Sequence, residues 1–197
     1  MDISPSVYEH AAFLIGRTPW EASRNGDLIF EAHAEAYRRY RQTPIMPGID
    51  IYNLEAEAYG GVVEKPGGVG VPAIKKPILG SAYELTTLRP LDPQRDGRIP
   101  VIVDDMLSTG TGYLVCPFET DQEAFMRKVW DRTDVRIRIN SDVELISRGA
   151  WEQIRADADR IIRLAEGREN VCMGTGALPY ETPPENVLML MDYVRRR

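Results

Sequence analysis

The C-terminal half of the chain contains the stretch VRIRIN at residues 135–140, in which apolar and polar residues alternate. Strict alternation over about six residues is the pattern of a β-strand with one face packed against other elements. An amphipathic pattern at residues 150–166 predicts a helix that ends at Gly167. A short apolar stretch at residues 170–173 predicts another strand. Strand, helix and strand at this spacing favour parallel pairing and an α/β fold.

Capping residues and apolar periodicity predict further helices along the chain. These are expected at residues 27–42, 81–88 and 121–131. The clearest start is that of the last helix, with Thr182 as N-cap, Pro183 as first helical residue and Glu185 closing a capping box. His33 lies beside the apolar face of the helix at 27–42, and we interpret it as a packed or hydrogen-bonded core histidine.

Short strands are predicted elsewhere. The turn Pro-Gly-Gly at residues 66–68 separates two short stretches, 61–65 and 72–76, which predicts a β-hairpin. Single strands are expected at residues 44–51 and 113–116, and residues 101–103 form either a strand or the start of a helix.

The composition, 43% hydrophobic and 27% charged, is typical of a globular protein. We expect one domain over residues 1–197, with an N-terminal part at 1–100 and a C-terminal βαβα part at 112–197. The net charge of −6 argues against nucleic-acid binding, and no stretch approaches the ~20 apolar residues of a membrane span. Without a recognisable signal peptide, the expected location is the cytoplasm.

Functional side chains in parallel α/β folds gather at the carboxyl ends of the strands. Asp50 closes the predicted strand at 44–51, and it is either a functional carboxylate or the N-cap of a helix that begins at Asn53. Asn140 and Asp142 end the VRIRIN strand, and they either face a pocket or form a turn by bonding their own backbone.

A glycine-rich segment, Gly174-Thr175-Gly176, follows the predicted strand at 170–173. With the N-terminus of the last helix, it is interpreted as a backbone loop that favours an anion. Its spacing is neither a dinucleotide fingerprint nor a P-loop. The chain has two histidines and two cysteines, scattered without a metal-ligand spacing, so no metal ligands are predicted.

Together these segments resemble the uroporphyrinogen decarboxylase superfamily, which includes the decarboxylases and the cobalamin-dependent methyltransferases. The most specific likeness runs from Gly174-Thr175-Gly176 to the Thr-Pro-Pro-Glu-Asn-Val segment at residues 182–187. The strand end Asn140-x-Asp142 resembles the penultimate barrel strand of the family, and residues 48–60 resemble its second strand. The form Glu-Ala-Glu-Ala at residues 55–58 favours the methyltransferase branch.

The resemblance covers residues 14–100 and 133–195, and it implies a (β/α)8 barrel with its site at the carboxyl ends of the strands. It places Asp50 where decarboxylases hold the pyrrole nitrogens, and Thr175 where they carry a histidine or where methyltransferases carry a zinc-ligating cysteine. The expected catalytic residues are Asp50, Asn140 and Thr175. The expected substrate-binding residues are Tyr52, Asn53, Glu57, Asp142, Gly174, Gly176 and Tyr180.

The resemblance implies a methyltransferase-like component that works with the corrinoid (cobalamin) of a partner protein. Zinc is not expected, because the His-x-Cys pair of the thiol methyltransferases is missing and Thr175 replaces the third ligand. Two alternatives stay open, namely a non-catalytic or partner-completed subunit of a barrel assembly and a tetrapyrrole decarboxylase. The arginine-rich first-strand motif of the decarboxylases is not evident at residues 17–24, which weighs against the decarboxylase.

The length adds an expectation about assembly. A (β/α)8 barrel typically takes about 250 residues, whereas this chain has 197. We therefore expect a truncated TIM-barrel-like α/β fold with parallel strands and a small hairpin excursion. Because exposed sheet edges invite pairing with another chain, we expect a homodimer or a heteromer with a barrel-like subunit.

Overall fold

The computed structural model describes residues 1–43, 62–76, 99–108 and 110–197. These residues form two compact units. The first unit contains residues 1–6, 99–108, 110–177 and 182–197, which form a parallel sheet and its helices. The second contains residues 7–43, 62–76 and 178–181, which form helices and a β-hairpin. That residues 1–197 form a single domain stays a prediction.

The helices and strands are numbered here in chain order. They are β1 (Ile3–Ser6), α1 (Glu9–Leu14), α2 (Pro19–Ser23), α3 (Gly26–Tyr40), β2 (Val62–Glu64), β3 (Ala73–Lys76), α4 (Ile99–Ser108), β4 (Tyr113–Cys116), α5 (Gln122–Lys128), β5 (Arg136–Ser141), α6 (Val143–Arg148), α7 (Trp151–Leu164), β6 (Val171–Ala177) and α8 (Pro184–Arg195).

Four strands of the first unit form one sheet in the order β1, β6, β5, β4, and every neighbouring pair is parallel. The first strand of the chain thus pairs with the last strand described, and this pairing is the one that closes a (β/α)8 barrel. Helices connect β4 to β5 and β5 to β6, as in repeated βα units. The fold is α/β, and it is consistent with part of a TIM barrel.

The two faces of the sheet have different neighbours. On one face, Ser141 of β5 donates a hydrogen bond of 2.6 Å to Asp157 of α7, so this face packs on a helix. Strand alternation places Arg138 and Asn140 on the opposite face. Gly174 of β6 is paired with Asn140 in the parallel register, so it belongs to the same face. We call this face, defined by Arg138, Asn140 and Gly174, the inner face.

Short polar side chains start several of the helices. The side chain of Asn25 accepts from two backbone amides at the start of α3, and Asp121 accepts from the amide of Ala124 at the start of α5. The helices predicted at 27–42, 121–131 and 150–166 are confirmed as α3, α5 and α7; α3 begins one residue before its predicted range, and the other ends lie inside the predicted ranges.

The second unit packs three helices of the described residues around small and aromatic side chains. α3 buries Ala32, His33, Ala36 and Tyr40, and the prediction of a core histidine at His33 is confirmed. The predicted hairpin is also confirmed, since β2 and β3 pair antiparallel across the Pro-Gly-Gly turn.

The structure corrects the prediction for the glycine-rich segment. Gly174-Thr175-Gly176 does not form a loop after a strand, because it lies inside β6, which continues to Ala177. A strand was not expected there because glycine is depleted in strands. Glycine is tolerated at position 174 because the side chain of Arg138 occupies the space that a larger residue would need.

The start of the last helix is the second correction. α8 begins at Pro184, with Pro183 in the N-cap position at φ −60° and ψ 122°, and no side chain caps it. Pro183 precedes a proline, and a residue in that position is disfavoured from helical geometry. Thr182 is fully buried and lies outside the helix. Residues 101–103 belong to the helix α4 and not to a strand.

Sequence patterns also missed several short elements, namely β1, α1, α2 and α6. The elements predicted at 44–51 and 81–88 lie outside the described residues. In the ranges that the structure describes, none of the helices has the length and apolar character needed to cross a membrane.

Candidate functional site

A buried arginine is the centre of the inner face. Arg138 of β5 has 9% of its surface exposed, and its guanidinium lies between β5 and the carboxyl-terminal parts of β1 and β6. Its Nε donates to Oδ1 of Asn140 at 3.1 Å. Its Nη2 donates to the backbone oxygens of Ser4 at 3.0 Å and Thr175 at 3.1 Å, and to Oγ of Ser6 at 2.7 Å. These bonds fix one edge of the guanidinium.

Gly174 provides the space that this guanidinium occupies. A Cβ atom at Gly174 would lie 1.9 Å from Nε of Arg138 and 2.7 Å from Oδ1 of Asn140. Real Cβ atoms do not approach other atoms so closely, so any side chain at this position displaces Arg138. The glycine therefore serves the packing of a neighbouring strand and does not shape a phosphate-binding loop.

The charge of Arg138 has no acidic partner among the residues that the structure describes, where its hydrogen bonds all go to neutral oxygens. Burial of a charge is costly unless an opposite charge or several hydrogen bonds compensate it. The four hydrogen bonds of Arg138 compensate part of the cost of burying its charge. Among the described residues, the inner face therefore combines one positive charge with an amide and a hydroxyl.

A second polar network holds the carboxyl ends of β4 and β5 from the helical side. Nε2 of Gln122 donates to the backbone oxygens of Asn140 at 2.9 Å and Cys116 at 3.3 Å, while Arg160 donates to Oε1 of Gln122 at 2.7 Å. Arg160 also forms an ion pair with the buried Asp157 at 2.6 Å. The network fixes the backbone from which Asn140 projects.

Two predicted residues have structural contacts near this network. Oδ2 of Asp157 accepts from the backbone amide of Asp142 at 3.1 Å, while the carboxylate of Asp142 caps α6 by accepting from the amide of Glu144 at 2.9 Å. Thr175 is almost fully buried, and its Oγ1 accepts from the backbone amide of Ser6 at 2.9 Å. The structure therefore places Asn140 and Gly174 together on the inner face, whereas Thr175, which is in register with Ser141, belongs to the opposite face of the sheet.

The predicted residue Tyr180 belongs to the second unit. Its hydroxyl donates to the backbone oxygen of Arg17 at 2.8 Å, and its ring packs edge-on against Phe13. Burial raises the pKa of the Tyr180 hydroxyl. The phenol is thus a hydrogen-bond donor to the backbone in this structure.

His10 lies beside Tyr180 in the same unit and is fully buried. Its Nδ1 is 3.1 Å from the backbone oxygen of Tyr180, which can only accept, so Nδ1 carries the proton. Nε2 then accepts from the hydroxyl of Tyr40 at 2.7 Å. Burial is the main cause that lowers the pKa of His10 to about 4, so the ring is neutral at pH 7.

Asp50, Tyr52, Asn53 and Glu57 lie outside the described residues, so their roles stay predictions. Gly176 lies at the end of β6, where an added Cβ would contact Val143 at 3.1 Å.

The described residues contain no group of three or more His, Cys, Asp or Glu side chains that could hold a metal ion. Cys116 is fully buried at the end of β4, and burial raises the pKa of its thiol to about 12. The thiol is therefore protonated at pH 7 and is a poor ligand or nucleophile. Within residues 1–43, 62–76, 99–108 and 110–197, no set of side chains fits a zinc site, and no step is assigned to zinc.

Sequence reasoning missed the residue that organises the site. Arg138 occupies a polar position of the alternating stretch, and such a position is ordinarily expected to face solvent. The useful signal is the expectation of a barrel, because both faces of a barrel strand are buried. Asp157 could also have been noticed, because it follows Ile154 by three residues and precedes Ile161 by four on the apolar face of its helix.

Residues 5–110 match the model of the family described as Uroporphyrinogen decarboxylase (URO-D). The match spans 106 of the 197 residues, which is more than half of the chain. The chain belongs to the uroporphyrinogen decarboxylase family. No curated protein and no solved structure matches it.

The URO-D match confirms the family that the sequence motifs resemble. It begins at the third residue of β1 and ends before β4, so it does not reach Arg138, Asn140 or the segment at 174–176. URO-D members are TIM barrels, and the pairing of β1 with β6 agrees with that architecture. The roles of Asn140 and Thr175 in a URO-D site stay predictions.

Proposed function

We propose that this member of the uroporphyrinogen decarboxylase family is a methyltransferase-like enzyme component that acts with a corrinoid. The substrate would bind at the carboxyl ends of β1, β6 and β5. The observation that carries the proposal is the inner face, where Arg138, Asn140 and Ser6 bring polar groups together on parallel strands of a URO-D chain. Active sites of barrel enzymes lie at this end of the strands.

The corrinoid would belong to a partner protein. His10 and His33 are both buried, so neither offers an accessible imidazole to a corrinoid. A corrinoid bound to the partner would supply the methyl group. This chain would bind the methyl acceptor, orient it through the amide of Asn140 and exclude water.

The test is a methyl-transfer assay with purified full-length protein. Methylcobalamin is incubated with 3-mercaptopropionate or with 2-mercaptoethanol, and the methylated thioether is measured by mass spectrometry. We expect protein-dependent methylation, and we expect Asn140→Ala to reduce it at least tenfold. Asn186→Ala is the matched control, because Asn186 makes one side-chain hydrogen bond, to the backbone oxygen of Ile146 on α6.

Two results would contradict the proposal. One is the absence of protein-dependent methylation with both thiols. The other is conversion of uroporphyrinogen to coproporphyrinogen by the same protein, which would favour the tetrapyrrole decarboxylase instead.

A partner-completed barrel is a second candidate, and one observation favours it. Within the described residues, β1 pairs only with β6 and β4 pairs only with β5, so each has one edge without a partner strand. Parallel strands with open edges are liable to pair with another chain. Sedimentation velocity of the full chain at micromolar concentration tests this candidate. A dimer or a complex with a barrel-like subunit is expected, and a monomer over the whole concentration range would contradict it.

A further inference from the structure

Asn140 lies one residue beyond the point where β4 stops pairing with β5. The last residues paired between these strands are Cys116 and Ile139. On the other side of β5, the pairing with β6 continues through Asn140 and Gly174. The backbone of Asn140 therefore has a strand partner on the β6 side, whereas on the β4 side its support comes from outside the strand pair.

The side chain of Gln122 provides this support. Its Nε2 donates to the backbone oxygen of Asn140 at 2.9 Å, and it also donates to the backbone oxygens of Cys116 at 3.3 Å and Pro117 at 3.1 Å. Gln122 is the first residue of α5 and is buried, so its amide reaches the carboxyl ends of both strands. A side chain thus continues the connection between β4 and β5 where their pairing ends.

The chemistry of its neighbours fixes the orientation of the Gln122 amide. The three backbone oxygens accept hydrogen bonds and cannot donate them, whereas the guanidinium of Arg160 donates to Oε1 at 2.7 Å and cannot accept. A flipped amide would lose all of these bonds. The N–H groups of Gln122 are therefore directed at the carbonyl of Asn140.

Arg160 connects this amide back to the end of β5. It forms an ion pair with Asp157 at 2.6 Å, and Oδ2 of Asp157 accepts from the hydroxyl of Ser141 at 2.6 Å and from the amide of Asp142 at 3.1 Å. The network thus holds the carbonyl of Asn140 and the two residues that follow it. The peptide group after Asn140 sets ψ of this residue, and the rotamers open to a side chain depend on φ and ψ. The network therefore limits the directions in which the Asn140 amide can point.

We propose that Gln122 is a positioning residue, which holds the amide of Asn140 in the orientation that the bound methyl acceptor needs. The proposal rests on the proposed function, in which Asn140 orients the acceptor. Gln122 acts through the backbone of Asn140 and is not itself a catalytic residue. A misplacement of about 1 Å in a group that orients a substrate can lower the rate about a hundredfold.

The first measurement does not depend on methyl transfer. The full-length protein is labelled with ¹⁵N in asparagine, and the side-chain amide signal of Asn140 is assigned by NMR as the one that is absent from Asn140→Ala. Gln122→Met keeps a side chain of similar length and removes both N–H donors. We expect this variant to shift or broaden the Asn140 signal beyond its line width, because the carbonyl of Asn140 loses its donor.

Asp121→Ala is the matched control on the same helix. The exposed side chain of Asp121 caps α5 by accepting from the backbone amide of Ala124 at 2.9 Å. Its removal weakens the start of α5 but takes no donor from Asn140. The Asn140 signal should therefore stay in place in this variant.

The second measurement is the kinetics of 3-mercaptopropionate methylation by methylcobalamin. We expect Gln122→Met to lower kcat about ten- to hundred-fold while KM changes by less than about threefold, because the acceptor still binds but is poorly oriented. Asp121→Ala should leave both constants unchanged.

Gln122→Glu is a second variant if Gln122→Met fails to fold. At pH 8 its ionised carboxylate still accepts from Arg160 but has no donor for the carbonyl of Asn140. It should therefore show the same change in the Asn140 signal and the same loss in kcat.

An Asn140 signal that is unchanged in the Gln122 variants, or that moves equally in Asp121→Ala, would overturn the proposal. An unchanged kcat of these variants, when the wild-type protein methylates the thiol, would overturn it as well and would leave the proposed function intact. A wild-type protein that does not methylate the thiol, although its Asn140 signal responds to Gln122→Met, would overturn the proposed function and not the coupling of Gln122 to Asn140.

Discussion

Arg138 of β5 and Gly174 of β6 show that the residue type at one position can depend on a side chain of the adjacent strand. The glycine is required because the guanidinium of the adjacent strand occupies the volume of its missing side chain. The sequence alone identified Gly174 as a special position and assigned the wrong cause, since a glycine after an apolar stretch is ordinarily a turn. The cause is tertiary, and a single sequence does not contain the pairing of Asn140 with Gly174.

Gly174→Ala should destabilise the protein by about 1 to 3 kcal/mol, because the new methyl group overpacks a filled site. Urea unfolding followed by circular dichroism measures the change. Gly176→Ala is the control on the same strand, where the new Cβ meets only the end of the Val143 side chain at 3.1 Å and should cost less. Equal effects of the two substitutions would contradict the close contact with Arg138.

His10 predicts a pH dependence of stability. Its pKa is about 4 in the folded protein and 6.5 as the ordinary value, so the unfolded chain binds more protons between these pH values. Stability therefore rises with pH from about 4 to 6.5, and it is lost as the pH falls through this window. We expect the free energy of unfolding at pH 5 to be about 2 kcal/mol below that at pH 7 through this group alone.

The comparison uses His10→Gln, which keeps a polar side chain beside Tyr40 but cannot titrate. Urea unfolding at pH 5 and pH 7 should show a smaller difference for this variant than for the wild-type protein. A difference of the same size in both proteins would assign the pH dependence to other groups.

At the scale of the elements, local signals predicted the long helices and failed at the short ones. α3 and α7 have long apolar faces, whereas α1 and α6 have only six residues each and too few turns to show a period. β1 has the sequence Ile-Ser-Pro-Ser, whose strand conformation depends on pairing with β6. The sequence predicted that Asn140 lies at the end of β5 as a candidate site residue, but it did not predict a role for Arg138.

The link between α7 and β5 also yields a prediction. Asp157 is buried and binds Ser141, the amide of Asp142 and Arg160, so Asp157→Ala leaves three donors without their acceptor. We expect a loss of about 2 to 4 kcal/mol in the free energy of unfolding, measured in urea.

The control for this substitution is Asp192→Ala. It breaks an exposed ion pair with Arg196 on α8, which should cost less than about 1 kcal/mol. If Asp157→Ala cost no more than the control, the network would not support the end of β5.

At the scale of the whole molecule, the order of the strands determines which residues meet at the candidate site. β1 lies beside β6 although 164 residues, 7–170, separate the end of β1 from the start of β6. This long-range pairing brings Ser4 and Ser6 to Arg138, and no local pattern contains it. The fold class and the family followed from the sequence, while the composition of the site followed only from the tertiary structure.

The central claim is that the inner face of β1, β6 and β5 binds the substrate of a methyl-transfer reaction. The most direct measurement is kcat/KM for methylation of 3-mercaptopropionate by methylcobalamin, in the wild-type protein and in Arg138→Gln and Arg136→Gln. We predict that Arg138→Gln lowers kcat/KM at least tenfold, mainly through KM, and that Arg136→Gln leaves it unchanged. Equal kcat/KM values in all three proteins, or no methylation by the wild-type protein, would contradict the claim.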